Sequence, residues 1–447
     1  MLSAIVGINW GDEGKGRMVD LLGGDYDVVV RYQGGNNAGH TVVNSRGKFI
    51  LNLLPSGILR ENTINVMGNG MVVDIEHLHG EMRRLTESGI IITPDNLKIS
   101  DRAIICFPFH RRLDILEEER LGDKKYGSTK RGIAPVYSDK YMKKGIRTGD
   151  LLSPGTLREK ITNLLEWKNL TIAGAYKSQP VGVAETLAWL DKFGSPLLPF
   201  ICDTGEYLGC AAKTGRDILF EAQLGALRDI DMGIYPYTSS SNTLAAYAPI
   251  GAGVPGLKLD NTIGVMKAYS TSVGGGPLTA EMFGGEAELL RRAGGEYGAA
   301  TGRPRRVGGF DIPASKYGVK MQGADFLALT KLDVLSYMDE IPVCIAYEIS
   351  GAYKTSGAYK TSGAYKTSDT NNINGEITDE FPTGDILESA KPVFKRLRGF
   401  KSDISGCRKL SDLPSAAREY IEYIEKAVEC PIKYISVGAE RDAIIEI

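Results

Sequence analysis

The residues from Gly11 to Gly16 have the composition of a loop that binds phosphate. They read G-D-E-G-K-G and follow the apolar segment from Leu2 to Ile8, which predicts a buried strand. An apolar-periodic segment after the loop predicts a helix. In such a strand, turn and helix, backbone N–H groups and a helix N-terminus face an anion. Lys15 adds a positive charge that can follow a phosphoryl group.

This loop departs from a standard Walker A loop in three places. Asn9 stands where the first glycine would be, and Gly16 stands where a serine or threonine would hold magnesium. Asp12 lies inside the loop, where its carboxylate would repel phosphate unless a bound cation or a proton-transfer role compensates. The glycine spacing, G-x-x-G-x-G, does not fit the dinucleotide fingerprint either. The loop therefore indicates phosphate chemistry with a carboxylate and a cation at its centre.

A second unusual turn follows the strand predicted from Asp27 to Tyr32. It reads Q-G-G-N-N-A-G-H-T from Gln33 to Thr41, and its small residues allow a ligand to approach the backbone closely. His40 is one of four histidines in the chain. A lone histidine is more often structural, but catalytic residues concentrate in loops after strands. We therefore expect His40 to act in catalysis.

Three later segments have side chains suited to nucleotides and carboxylates. The loop 121–135 carries four cationic residues and two aliphatic hydroxyl groups, and the run 298–306 reads G-A-A-T-G-R-P-R-R. Arginines bind carboxylates and phosphates through two parallel hydrogen bonds. The T-K-L-D run from Thr330 to Asp333 ends a predicted buried strand, and its carboxylate could accept hydrogen bonds from guanine N1–H and N2–H₂. The competing interpretation of the two basic loops is a solvated, charged surface.

Composition and charge exclude several classes of protein. The net charge is −2, with 43% hydrophobic and 24% charged residues, which gives no indication of a nucleic-acid or membrane-surface partner. The chain shows no secretory signal and no apolar run long enough to span a bilayer. Six cysteines without C-x-x-C spacing argue against a zinc site or a disulfide framework. We expect a cytoplasmic protein.

Strand and helix patterns alternate along most of the chain, which predicts an α/β fold with a largely parallel sheet. Further predicted strands cover residues 63–67, 97–107, 217–222, 262–269, 343–347 and 432–436. Asp74 is expected to cap a helix, residues 151–200 read as helical, and an apolar stripe from Leu413 to Val428 predicts a C-terminal helix. The sequence G-A-Y-K-T-S occurs three times in residues 351–368. We interpret residues 350–372 as a loop insertion, with a packed hairpin or a binding patch as the alternatives.

The pair of motifs G-D-E-G-K-G and R-Y-Q-G-G-N-N-A-G-H-T resembles the adenylosuccinate synthetase family. The resemblance implies a P-loop-NTPase-like fold with a large, mostly parallel central sheet flanked by helices. It implies a single catalytic domain over residues 1–447, with helical subdomains in about 100–200. The implied reaction is a GTP-dependent ligation of IMP and L-aspartate through a 6-phosphoryl-IMP intermediate, on the route to AMP.

The resemblance also implies the catalytic roles. Asp12 would remove the N1 proton of IMP and, with the Gly39 carbonyl, hold one Mg²⁺ per subunit. Lys15 would neutralise the transferred phosphoryl group, and His40 would stabilise it and donate a proton. Asp20, one helical turn beyond the loop, would hold His40 in its useful tautomer.

Binding residues are carried over from the resemblance position by position. GTP would contact Gly11, Asp12, Glu13, Gly14, Lys15, Gly16, Arg17, Gly39, His40, Thr41, Arg305, Lys331, Leu332, Asp333, Ser436, Val437 and Gly438. IMP would contact Asp12, Glu13, Gly14, Lys15, Asn37, Ala38, Gly39, His40, Thr129, Lys143, Gln223, Ser239 and Arg303. Aspartate would contact Ala299, Ala300, Thr301, Gly302 and Arg303.

The sequence departs from the family's pattern at four of these or neighbouring positions. Lys143 replaces an arginine that reaches the partner's IMP in the family's homodimer, Ser239 replaces a threonine, and Ser272 stands where many relatives have arginine. Gln223 comes one place early in E-A-Q-L-G-A, where the family has E-G-A-Q-G-T. Two rival functions remain: a GTP-dependent kinase or GTPase using the same loop, and an inactive binding or scaffold protein on this fold.

Overall fold

The computed structural model describes residues 1–44, 47–297, 302, 304–349 and 376–447. Its strands are β1 (Leu2–Gly7), β2 (Val28–Arg31), β3 (His40–Asn44), β4 (Gly47–Leu51), β5 (Ile64–Met67), β6 (Val72–Val73), β7 (Leu97–Ser100), β8 (Ile104–Ile105), β9 (Ile201–Cys202), β10 (Ile218–Glu221), β11 (Asn261–Lys267), β12 (Ser270–Ser272), β13 (Arg306–Gly308), β14 (Phe310–Asp311), β15 (Phe326–Thr330), β16 (Glu340–Ile349), β17 (Glu376–Thr378), β18 (Lys391–Arg398), β19 (Ile432–Ser436) and β20 (Ile444–Glu446).

The α-helices of the same residues are α1 (Lys15–Leu22), α2 (Ile75–Glu87), α3 (Pro108–Leu121), α4 (Ile133–Tyr141), α5 (Pro154–Asn169), α6 (Val183–Gly194), α7 (Thr204–Lys213), α8 (Ala248–Ala252), α9 (Gly284–Gly294), α10 (Ile312–Gln322), α11 (Gly384–Ser389) and α12 (Ser415–Val428). None of these helices is both long and apolar enough to cross a membrane.

A ten-stranded sheet forms the centre of the described structure. Its order is β20-β19-β15-β11-β1-β10-β2-β5-β7-β9, and all neighbours pair in parallel except the edge strand β20. The first strand of the chain therefore lies inside the sheet, between β10 and β11. Loops at the carboxyl ends of β1, β2, β10, β11 and β15 consequently meet at one edge, where α/β sheets bind ligands. The predicted fold class is confirmed.

The apolar patterns of the sequence account for the core. The stripe Leu413, Ala417, Ile421, Ile424 and Val428 is buried as predicted, and α12 packs it beside β15 and β19. A second large cluster joins β5 and β7 to α2, α3, α5 and α6. Asp74 caps α2 as expected, since its carboxylate accepts a hydrogen bond from the His77 N–H at 3.0 Å. Helices α5 and α6 lie in the region predicted to be helical.

The strand predicted over residues 97–107 is wrong in one respect. The structure divides it into β7, which joins the central sheet, and β8, which pairs with β6 in a separate two-stranded sheet. The Asp101 N–H donates to the Cys202 carbonyl at 3.0 Å, and a turn follows. An apolar run does not reveal such a turn, because both halves are buried.

The hexapeptide repeat lies outside the described residues, but the strands on either side of it are described. Strands β16 and β17 are antiparallel neighbours, and Ile349 pairs with Glu376 at the two ends of the connection. We therefore expect deletion of Gly357–Ser362 to leave the melting temperature and turnover nearly unchanged. Shortening the connection by six residues changes its closure cost by only about 0.2 kcal/mol.

Thermal unfolding and steady-state kinetics of the deletion variant check this expectation. Tyr347→Ala is the positive control, because Tyr347 is fully buried in β16 beside the insertion and its loss leaves a cavity. A deletion variant that loses as much stability as Tyr347→Ala would show that the repeat is packed structure and not an inserted loop.

Candidate active site

The loop after β1 has the backbone of a phosphate-binding turn. Gly11 and Gly14 have φ of 105° and 96°, and Gly14 caps the N-terminus of α1 in the left-handed region. Asp12 also has a positive φ, 60°, which is costly for a residue with a side chain and clusters at functional sites. The side chain of Asp12 is 31% exposed. The loop thus presents a carboxylate on strained backbone beside a helix N-terminus.

Glu13 holds this loop closed from inside. One of its carboxylate oxygens accepts hydrogen bonds from the N–H groups of Asn9 at 3.1 Å and Gly11 at 2.7 Å. The other oxygen is 2.6 Å from Lys15 Nζ, and both side chains are almost fully buried. The Lys15 ammonium is therefore paired inside the protein in this structure. A bound phosphoryl group would compete with Glu13 for it.

Gly16 is explained by its contact with the second loop. A Cβ atom at this position would lie 2.8 Å from the His40 Cβ. A serine or threonine there, as in a Walker A loop, would displace the histidine. The departure at Gly16 thus makes room for His40 against the first turn of α1.

His40 begins β3 and is almost fully buried, at 7% exposure. Its Nδ1 is hydrogen-bonded to the carboxylate of Glu221, the last residue of β10. Burial lowers the pKa of His40, although the Glu221 charge opposes that shift. The prediction that Asp20 holds His40 is wrong. Asp20 instead pairs with Arg441, whose Nε lies 3.3 Å from its carboxylate.

The Gln33–Thr41 loop is held by a network of amides. Gln33 donates to the Gln223 carbonyl at 2.8 Å and accepts from the Ser241 hydroxyl at 2.9 Å. Gln223 donates to the carbonyl of Gly35 at 2.6 Å. The side chain of Gln223 is fully buried beneath this loop. In this structure Gln223 supports the loop, its Oε1 is buried without a hydrogen-bond partner among the described residues, and its contact with IMP stays a prediction.

A buried carboxylate, Glu296, links the predicted arginine loop to the phosphate loop. Its oxygens lie 2.7 Å from Arg305 Nη1, 2.9 Å from Lys331 Nζ and 3.0 Å from Lys267 Nζ. Burial alone would raise the pKa of Glu296, but the two lysines outweigh burial and hold it well below its usual range. Arg305 Nε is also 3.5 Å from the Asp12 carboxylate. Arg305 and Lys331, both predicted GTP contacts, are thus held by Glu296, and Arg305 also lies beside Asp12.

The third group of predicted residues lies beside α1. Arg17 donates to the Ser436 hydroxyl and to the carbonyls of Gly438, Glu440 and Ala443, which fixes the turn after β19. Asp333 follows Lys331, whose φ is 59°. The Asp333 Oδ1 is buried without a hydrogen-bond partner among the described residues, and burial raises the pKa of this carboxyl group. An acceptor without a donor is what a site for a purine N–H group requires.

Arg228 is a buried residue that sequence reasoning missed. It donates to the Ser272 hydroxyl at 2.7 Å and the Val273 carbonyl at 3.1 Å, and it also donates to the Tyr237 carbonyl. Burial lowers its pKa to about 10. Arg228 thus holds the 235–239 turn against the glycine turn after β12. Ser272 stands where the family's pattern has an arginine, and the guanidinium of Arg228 places a positive charge beside that position.

The remaining predicted residues are more dispersed. Ser239 is buried, with its hydroxyl 3.0 Å from that of Ser241. Thr129 and Lys143 are exposed, and Gly302 is exposed with a φ of 65°. The loop that contains Thr129 packs on the glycine turn, because the Gly275 N–H donates to the Tyr126 carbonyl at 3.0 Å. Ala299, Ala300, Thr301 and Arg303 lie outside the described residues.

Glu221, Glu296 and Arg228 were not predicted as functional. A sequence signal existed for Glu221 alone, since D-I-L-F-E ends an apolar strand in a charged residue that the sheet must bury. Glu296 and Arg228 acquire their partners only through contacts between distant loops.

Comparison with known proteins decides the family. The model of the family "Adenylosuccinate synthetase" matches residues 4–445. This chain belongs to the adenylosuccinate synthetase family. The prediction made from the two glycine-rich loops is confirmed.

Relatives in the adenylosuccinate synthetase family match over nearly their whole length. The adenylosuccinate synthetase of Halothermothrix orenii is 43% identical over 442 residues, which cover 99% of this chain and 97% of that protein. Adenylosuccinate synthetase 2 of Pseudoalteromonas translucida is 42% identical over 443 residues, covering 99% and 98%.

Two solved structures are similar to this one. The fully ligated adenylosuccinate synthetase of Plasmodium falciparum matches with a TM-score of 0.87 and 35% identity, covering 100% of this chain and 99% of that one. The succinoaminodeoxyadenylate synthetase of cyanophage S-2L matches with a TM-score of 0.58 at 18% identity, covering 99% and 94%. The second likeness is one of fold alone.

Proposed function

We propose that this chain is a ligase that joins IMP to L-aspartate, using GTP, and releases adenylosuccinate, GDP and phosphate in AMP biosynthesis. The observation that carries the proposal is family membership over residues 4–445, with Asp12, Lys15 and His40 all present in the loops that define the resemblance. The resemblance covers the whole site, from the first loop to the turn after β19.

In the first step, the Asp12 carboxylate takes the N1 proton of IMP. Oxygen O6 then attacks the γ-phosphorus of GTP, the bond to the β-phosphate oxygen breaks, and GDP leaves. In the second step, the amine of aspartate attacks C6 and phosphate leaves. Asp12 suits the role of base because its side chain is 31% exposed, and a substrate can therefore reach its carboxylate. Positioning and charge stabilisation carry most of such a reaction.

Lys15 and His40 serve the phosphoryl group. Lys15, which is paired with Glu13 in this structure, exchanges that pairing for the transferred group. His40 lies against Gly16 at the start of α1, so its ring borders the phosphate loop. When the ring is protonated on both nitrogens, Nε2–H donates a hydrogen bond to the oxygens that gain charge during transfer.

The guanine base is bound by Asp333, Lys331 and the turn from Ser436 to Gly438. Support comes from the unpartnered Asp333 Oδ1 and from the Arg17 bonds that fix the turn. Arg305 reaches the GTP phosphates from its position beside Asp12. The other predicted nucleotide contacts are Gly11, Asp12, Glu13, Gly14, Gly16, Gly39, Thr41 and Leu332.

IMP and aspartate are bound by the remaining predicted residues: Asn37, Ala38, Thr129, Gln223, Ser239, Ala299, Ala300, Thr301, Gly302 and Arg303. A homodimer in which Lys143 reaches the partner's IMP phosphate stays a prediction, as does a cytoplasmic location. Lysine retains the charge of the family's arginine but not its two-pronged geometry, so we expect a weaker contact there.

One Mg²⁺ per subunit fits the donors at the loop. The Asp12 carboxylate and the Gly39 carbonyl are hard oxygen ligands, which Mg²⁺ prefers. The described residues contain no cluster of three or more His, Cys, Asp or Glu side chains that could hold a metal. Mg²⁺ usually binds through one or two protein carboxylates and takes its other ligands from phosphate and water. When bound, Mg²⁺ would neutralise charge on the GTP phosphates.

A coupled assay that omits IMP, aspartate and GTP in turn tests the proposal. We expect phosphate release only when all three are present, together with a product that absorbs as adenylosuccinate. Phosphate release without aspartate would favour the rival kinase or GTPase. No turnover with the complete mixture would leave only a binding or scaffold role.

A further inference from the structure

Glu221 ends β10 in the interior of the protein and is fully buried. Its Oε1 accepts hydrogen bonds from His40 Nδ1 and from the Ser56 hydroxyl, the latter at 2.7 Å. Its Oε2 accepts a hydrogen bond from the Ser56 backbone N–H, also at 2.7 Å. Three donors thus converge on one carboxylate, and the carboxylate in turn has only acceptor atoms to offer them.

The surroundings keep Glu221 ionised. Burial by itself would raise its pKa, but His40, Arg31 and Ser56 together outweigh burial and lower it to about 2. Arg31 is fully buried on β2 and interacts electrostatically with both Glu221 and Glu81. A buried carboxylate that stays charged and hydrogen-bonded is a rigid acceptor. It can therefore impose an orientation on the ring that donates to it.

An ionised carboxylate at Nδ1 determines the tautomer of His40. Since the carboxylate only accepts, the Nδ1 atom must carry a hydrogen, and Nε2 remains as the nitrogen directed elsewhere. Such a partner is how proteins fix which ring nitrogen is available for chemistry. The backbone N–H and the hydroxyl of Ser56 both bond to the Glu221 carboxylate. These two bonds restrict rotation of the carboxylate and therefore of the His40 ring bonded to it.

We propose that Glu221 is the positioning residue of His40, fixing the tautomer and orientation that present Nε2 to the transferred phosphoryl group, with Ser56 as its support. The proposal rests on the proposed function for the identity of the phosphoryl group. Glu221, which is 181 residues from His40 in sequence, thus takes the role that was predicted for Asp20.

Glu221→Gln tests the proposal with little change of volume. An amide has one acceptor oxygen and one donor NH₂ group, so at least one of the three donors must face another donor. We expect kcat to fall by at least about 100-fold, as for other mispositioned proton-transfer groups, with the KM values for IMP and GTP within about threefold. ¹⁵N NMR of the histidine rings, of which the chain has only four, should show His40 leaving the Nδ1–H tautomer.

Two matched variants separate positioning from stability. Glu81→Gln alters another buried carboxylate near Arg31, which accepts from the N–H groups of Asn52, Leu53 and Leu54. It should lower the melting temperature and leave the His40 tautomer unchanged. Asp20→Asn should also leave the tautomer unchanged.

If Glu221→Gln does not fold, Ser56→Ala is used in its place, with an expected loss of about 3- to 10-fold in kcat.

The outcomes distinguish the inference from the proposed function. Wild-type protein without IMP- and aspartate-dependent turnover would overturn the function, and the NMR measurement would still test the pairing. An unchanged kcat and an unchanged tautomer in Glu221→Gln, or in Ser56→Ala if that variant is the one used, would overturn the inference. The same holds if Asp20→Asn, and not Glu221→Gln, changes the His40 tautomer.

Discussion

Asp12→Asn is expected to lower kcat by about 1,000-fold or more, which is the largest loss we expect from a single substitution. Asparagine removes the base that takes the N1 proton of IMP, and general-base catalysis of this kind contributes about 10²- to 10⁴-fold. The substitution also replaces a charged metal ligand with a neutral one. Ligation measured with IMP, aspartate and GTP at saturation checks the loss.

The variant should keep its fold, which makes the result interpretable. Asp12 has a φ of 60°, and asparagine tolerates this left-handed region better than most residues. The hydrogen bonds from Asn9 and Gly11 that close the loop go to Glu13 and are untouched. Asp25→Asn, an exposed change just beyond α1, is the matched control and should behave as wild type. Near-normal turnover of Asp12→Asn would remove Asp12 from the mechanism.

Asp333→Asn is expected to change the nucleotide that the enzyme uses. A site built on paired hydrogen bonds to a base rejects the wrong partner by about 10⁴- to 10⁵-fold. The buried Oδ1 of Asp333 has no hydrogen-bond partner in the described structure and is available to guanine N–H groups. An amide at this position places an NH₂ group against the guanine N2–H₂, so donor would face donor. We expect kcat/KM for GTP to fall by at least about 1,000-fold.

Xanthosine triphosphate should restore activity to Asp333→Asn. Its 2-oxo group accepts the hydrogen bond that the asparagine NH₂ donates, while the asparagine oxygen still accepts from N1–H. Competition of the two nucleotides in wild-type and variant protein gives the specificity ratio directly. If wild-type protein used ATP with the same efficiency as GTP, residues 330–333 would not determine the specificity for guanine.

The features that could be predicted best from the sequence depend on residues that lie close together along the chain. The C-terminal helix and strand β19 could be placed because their apolar spacing and the proline between them act within a few residues. The phosphate loop could be recognised because its glycines and lysine are contiguous. The family followed from two such contiguous motifs, and the fold class from the alternation of strands and helices.

The failures share a physical cause, which is that the deciding contacts join distant parts of the chain. Asp20 seemed the natural partner of His40 since it lies one helical turn beyond the loop, but helix α1 directs it towards Arg441. Glu221 is brought to His40 only because β10 lies between β1 and β2 in the sheet. The bonds of Gln223 to the Gln33–Thr41 loop likewise join distant parts of the chain and could not be predicted from the sequence.

The position of β1 in the central sheet has a consequence for the synthesis of this protein. Its two neighbours, β10 and β11, are not complete until residues 221 and 267 have been translated. This buried strand therefore leaves the ribosome long before either partner exists. Pairing over such separations is slow, and unpaired strand edges favour aggregation. The nascent chain should depend on chaperones during the interval in which its first half alone has emerged.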